Sequence, residues 1–213
     1  MSSDEKRRQK QLAKKSAKRK AIRKEHALMS SFSLASLMKQ VVLASQAPVY
    51  ECLLPIGLFE LGMGNVMISR KLPDGRIAFS AFLVDTFCLG VKNAFFRVVT
   101  EHEYKQAMET DIADSQPDGC EQIDPACLRK LIEQAVAYAQ DLGFEPHPDY
   151  NLARLLFGDI DPSACNQNFT FGSQGKPFYI AGPNESSSQI RVILQTLEKR
   201  CGPDGYHYML PVG

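Results

Sequence analysis

The run Phe82-Leu-Val-Asp-Thr-Phe-Cys-Leu-Gly-Val-Lys92 constrains this chain more than any other stretch. It is rich in Phe, Leu and Val, bounded by turn residues, and interrupted in its middle by a single acid, Asp85. Such a run reads as a strand buried on both faces at the centre of a sheet, because a half-exposed strand would alternate apolar and polar residues. The rest of the chain has to pack on it. With 213 residues, 44% of them hydrophobic, there is enough material for a real core in one domain of ordinary size.

The surrounding sequence supplies sheet and helices in mixed order. Val49 to Leu54 reads as a first strand, and Val66 to Leu72 faces Arg76 to Val84 across Pro73-Asp-Gly75, a hairpin signal because Gly takes the positive φ that closes the turn. Leu34, Leu37, Met38, Val41 and Val42 fall three and four apart, as on one face of a helix packed on the body. Thr100 and Glu103 form a capping box. Asp124-Pro125 starts the strongest helix, with Leu128, Leu131, Ile132, Ala135, Val136, Ala139 and Leu142 as its stripe and Gly143 at its end. Asp111 to Gln122 reads as a polar loop, and a short helix follows His147-Pro148. Phe169 to Phe171 and Phe178 to Ile180 read as a second hairpin, followed by a helix over Ser186 to Arg200 and a last strand, Tyr206 to Leu210. The fold class expected is α+β: a mixed or largely antiparallel sheet with packed helices, residues 31–213, preceded by a basic N-terminal arm over residues 1–30.

The arm is a different material from the body. Lys6, Arg7, Arg8, Lys10, Lys14, Lys15, Lys18, Arg19, Lys20, Arg23 and Lys24 stand against Asp4, Glu5 and Glu25, so residues 1–28 carry +8, while the other 14 cations and 21 acids leave the remainder at −7. Like charges four apart oppose a helix in isolation, and only Leu12, Ile22 and alanines separate them. An RNA backbone relieves that repulsion, so RNA or the ribosome is the expected partner, contacted by these eleven side chains. A tail that only solubilises a protein-interaction module is the alternative. A membrane-surface helix lacks the large apolar residues it needs, and no stretch approaches the roughly 20 apolar residues of a membrane span. A cytoplasmic address is expected.

Chemistry-bearing residues are fewer. Asp85 on an apolar strand must be bonded or paired, either as an acceptor of amides from the turn after the strand or as an active-site acid with Lys92 beside it. His147, Asp149, Asp159 and Asp161 have the residue types of a hard-metal or phosphodiesterase site, although aspartates beside Gly and Pro commonly shape turns. A metal-dependent hydrolase acting on phosphodiesters is thus the enzymatic alternative, with Asp85, Lys92, His147, Asp159 and Asp161 as its candidate residues. The six cysteines contain no Cys-x-x-Cys pair and no zinc spacing and read as reduced core thiols. Gly62-x-Gly64 precedes no helix and is no dinucleotide fingerprint, so no metal and no cofactor is expected. Gly182-Pro-Asn-Glu185 reads as the approach to a helix N-cap, with bare amides that could hold a phosphate.

Leu83-Val-Asp-Thr-Phe-Cys-Leu-Gly-Val-Lys92, Gly143-Phe-x-Pro-His-Pro-Asp-Tyr150, Leu156-Phe-Gly-Asp-Ile-Asp161, Gly175-Lys-Pro-Phe-Tyr179 and Gly205-Tyr-His-Tyr208 together resemble a family of uncharacterised bacterial hypothetical proteins. The resemblance spans roughly residues 49–213 and omits the basic arm. It implies a single bacterial domain with a cytoplasmic address and brings no activity with it.

Overall fold

The computed structural model describes residues 34–112, 118–183 and 185–210. Two compact units, Met1–Gln40 and Val41–Gly213, divide the chain. Of the first, residues 34–40 are helical, and the basic arm lies outside the described residues. The second unit is α+β. It opens with a helical turn, 41–44 (α1), whose Val41 and Ala44 are buried.

Five strands, β1 (Val49–Pro55), β2 (Met63–Lys71), β3 (Ile77–Asp85), β4 (Gly90–Val99) and β5 (Cys120–Gln122), form one antiparallel sheet in the order β4-β3-β2-β1-β5. A four-residue helix, α2 (Leu58–Leu61), joins β1 to β2. The expected β2–β3 hairpin is present, with Lys71 opposite Ile77. β3 is buried on both faces, and its alternation assigns each residue a side. Ala78, Phe82 and Val84 join the main core with Leu128, Leu131, Ile132 and Ala135 of α4 (Pro125–Asp141) and with Tyr150, Leu156 and Phe157 around α5 (Tyr150–Ala153). Phe82 stacks on Phe157 with ring centres 5.6 Å apart. On the opposite face Ile77 and Phe79 pack on Tyr104 of α3 (Glu101–Ala107), which is capped by the expected Thr100–Glu103 box.

The apolar run over residues 82–92 is not one strand. It turns back on itself at Thr86 to Leu89, so β3 ends at Asp85, which pairs with Gly90 at the head of β4. Gly90 shows why the reversal sits there: its φ is +64°, and a Cβ on it would lie 2.8 Å from the Ala135 carbonyl and 2.7 Å from the Ala139 Cβ, inside α4. β3 and the first two residues of β4 are largely apolar and almost wholly buried, and pattern alone cannot find a tight turn inside a continuous apolar run.

Three further expectations need correction. Residues 169–171 form no strand: Phe169 stacks on Phe59 and Phe171 on Tyr138, while β6 (Phe178–Ile180) pairs in parallel with β7 (His207–Met209). The backbone near both segments is engaged by the β3–β4 turn, with the Gly172 amide on the Thr86 carbonyl at 2.9 Å and the Phe178 amide on the Phe87 carbonyl at 3.2 Å. Cys120 to Gln122, read as loop, is β5, held by main-chain pairing to β1 that leaves no trace in side-chain pattern. Cys127 and Cys165 form a disulfide across 38 residues, joining the start of α4 to the loop after the 3₁₀ turn Pro162–Ala164; Cys52, Cys88, Cys120 and Cys201 are not disulfide-bonded. The last helix, α6 (Ser187–Cys201), starts at Ser186 with a capping box to Gln189.

Candidate functional site

Asp85 lies at the C-terminal end of β3, 5% exposed, and its Oδ1 accepts the Phe87 and Cys88 amides, each at 2.9 Å. This is the structural placement that an acid at a strand end can take: the carboxylate shapes the β3–β4 turn by accepting the amides that the reversal leaves bare. Burial pushes its carboxyl up, and those amide bonds and the Lys92 charge only partly oppose the shift. Beside it the Cys88 thiol is pushed well above its ordinary range, by burial first and by the Asp85 charge second. A thiol held protonated in this way is a poor nucleophile.

Lys92 does not pair directly with Asp85. Its Nζ meets Glu185 Oε1 at 2.8 Å, with both side chains less than one-fifth exposed. Glu185 also accepts the Tyr179 hydroxyl and, at 3.2 Å, the Gly182 amide. Burial alone would raise the Glu185 carboxyl, but Lys92, Tyr179 and Gly182 together outweigh it and hold the group below its ordinary value. The Tyr179 phenol is raised by burial and by donating to Glu185. Residues from β4, from β6 and from the segment before α6 thus share one carboxylate, whose oxygens are all engaged. The arrangement latches the approach to α6 onto the end of the sheet. Glu185 also lines an open cleft of about 350 Å³, together with Ser188, Gln189, Val192 and Ile193.

The remaining candidates do not gather there. The His147 amide bonds the Val91 carbonyl at 2.9 Å, while its ring Nδ1 accepts the Asp149 amide at 3.3 Å at the start of α5. Asp161 caps the 3₁₀ turn through Ser163, accepting its amide at 2.9 Å and its hydroxyl at 2.8 Å, and these bonds hold its carboxyl low. Asp159 acts electrostatically on Arg70. Among the described residues, no group of three or more His, Cys, Asp or Glu side chains could hold a metal ion.

Sequence reasoning missed a buried arginine that ties three carbonyls together. Arg70, 4% exposed, donates Nε to the Leu156 carbonyl at 2.9 Å, Nη1 to that of Ala47 at 2.6 Å and Nη2 to that of Phe157 at 2.7 Å. A signal existed, since the period of two along Val66, Ile68 and Arg70 puts the arginine on the core face of β2. Glu185 was read only as part of a helix approach; its partners come from 93 and 6 residues away. No family model, curated protein or solved structure matches the chain.

Proposed function

We propose that this is an RNA-binding protein, associated with the ribosome, in which the basic N-terminal arm supplies affinity through the phosphate backbone and the folded unit supplies place. One observation carries the reading: eleven cations fall between Lys6 and Lys24 in a chain whose remaining residues are net acidic. Such a segment releases condensed counterions when it meets a polyanion. The described part of the second unit is built as a scaffold, with Asp85, Asp161 and Glu185 each committed to turns, caps or ion pairs. The hydrolase alternative has less support, since among the described residues no group of three or more His, Cys, Asp or Glu side chains could hold a metal ion.

A cytoplasmic address belongs to the same proposal. No described helix is long and apolar enough to cross a membrane. The Cys127–Cys165 bond is uncommon in a reducing compartment, and both of its residues are 5% exposed, which shields the sulfurs from an attacking thiolate.

The test is binding of the full chain to ribosomes and to a structured RNA as a function of salt. If about five to eight cations engage, log K falls with log salt at a slope of roughly −3.5 to −7. Replacing Lys14, Lys15, Lys18, Arg19 and Lys20 by Gln flattens that slope and leaves the melting temperature unchanged. A slope unaffected by these replacements would refute the arm as the contact.

A further inference from the structure

The outer face of α6 stands apart from the rest of the second unit. Only Leu197 of this helix is fully buried. Stepping about 100° per residue, Ser188, Val192, Gln195 and Lys199 fall in one stripe roughly 60° wide, and all four are exposed. From Ser188 to Lys199 the stripe runs about 16 Å, the axial span of about five phosphates of one duplex strand. Two shallow clefts, of about 350 and 440 Å³, flank it and share Val192. The larger is floored where the end of α4 approaches the helix, a Cβ on Gly143 falling 3.1 Å from the Thr196 methyl.

Lys199 lies in this stripe, and Arg191 falls about 40° outside its edge. Arg191 and Lys199 are exposed and have no ion-pair partner among the described residues. Arg200, at the edge of the larger cleft, donates Nε to the Asp141 carbonyl at the C-terminal end of α4. Of the nearby carboxylates, Glu185 is occupied by Lys92 and Tyr179, and Glu198 points about 100° round the helix from Lys199 but lies about 20° from the direction of Arg191, two turns along. A strip of hydroxyl, amide and ammonium donors, with the Arg191 guanidinium beside it, therefore lies on a unit that is net acidic as a whole. Donors of these types are the ones that contact phosphate and sugar without reading base sequence. Val192 is the one large apolar side chain in the stripe, too little for the apolar anchor that a peptide partner would need.

We infer that the outer face of α6 is a second phosphate-binding strip, on which the folded unit seats the backbone of the RNA that the arm attracts. The inference rests on the RNA reading above, and its test separates the two. Full-length chain is titrated with a labelled RNA hairpin from about 50 to about 200 mM salt, beside the five-Gln arm variant. The double variant Arg191→Gln/Lys199→Gln melts as wild type does, binds more weakly at low salt, and has a slope shallower by roughly 1.4 to 1.8, two phosphate contacts at the single-strand or duplex coefficient. Gln195→Glu, which changes charge without changing shape, weakens binding in the same sense, and Lys199→Arg keeps the wild-type slope. An unchanged slope in the folded double variant, with unchanged affinity in Gln195→Glu, overturns the α6 strip and leaves the arm reading standing. A wild-type chain that binds no RNA overturns both.

Discussion

Replacing Arg70 by Met keeps most of the volume and removes every donor. The side chain is buried, so the carbonyls of Ala47 and Leu156 lose the bonds it makes, while that of Phe157 keeps the Ile160 amide at 3.3 Å. Each buried acceptor left bare costs about 1–3 kcal/mol. With two acceptors left bare the sum starts near 2 kcal/mol, and partial relaxation together with relief of the cost of burying the guanidinium holds it to about 2–5 kcal/mol. A domain of this size has only about 5–15 kcal/mol in total, so the expected fall in melting temperature is about 4–20 °C. Urea unfolding followed by circular dichroism measures this: the midpoint drops and the slope stays constant, because the surface exposed on unfolding is unchanged. Arg70→Lys falls between the two, since one ammonium cannot reach three carbonyls that Arg spans with a rigid fork. A Met variant within about 1 kcal/mol of wild type would refute the reasoning, showing that the carbonyls find other partners.

Two predictions concern the acids. Asp85→Ala leaves the Phe87 and Cys88 amides bare in the β3–β4 turn and costs about 2–4 kcal/mol, whereas Asp85→Asn keeps an acceptor oxygen, drops the buried charge and stays within about 1 kcal/mol of wild type. Equal losses for the two variants in denaturant titrations would show that the charge, not the acceptor, matters. Glu185→Gln costs about 1–3 kcal/mol at neutral pH by breaking the bond to Lys92. Because the folded carboxyl titrates below its ordinary value of 4.5, its contribution is complete above that pH and disappears as pH falls through the lower folded value. Wild-type stability therefore converges on that of the Gln variant in acid, and a gap that persisted undiminished at low pH would exclude the latch.

Much of the fold was legible in one dimension because its signals are local. Asp124-Pro125, the stripe from Leu128 to Leu142, the Thr100–Glu103 box and the Pro73-Asp-Gly75 turn each act within a few residues, and each element formed where those signals lie. The bare amides following Asp85 were legible for the same reason, being two and three residues away.

What the tertiary structure alone decided involves partners far apart in the chain. The reversal inside the apolar run depends on how closely α4 approaches Gly90, and the parallel pairing of β6 with β7 depends on which backbone groups the β3–β4 turn occupies. The Cys127–Cys165 bond joins thiols 38 residues apart, and the Lys92–Glu185 pair spans 93. Arg70 lies on the boundary between the two kinds of information. Its face followed from the period of β2, but its three carbonyl partners come from the turn after α1 and a 3₁₀ turn that meet only when the core closes, because hydrogen bonds to carbonyls are specified by position and not by residue type.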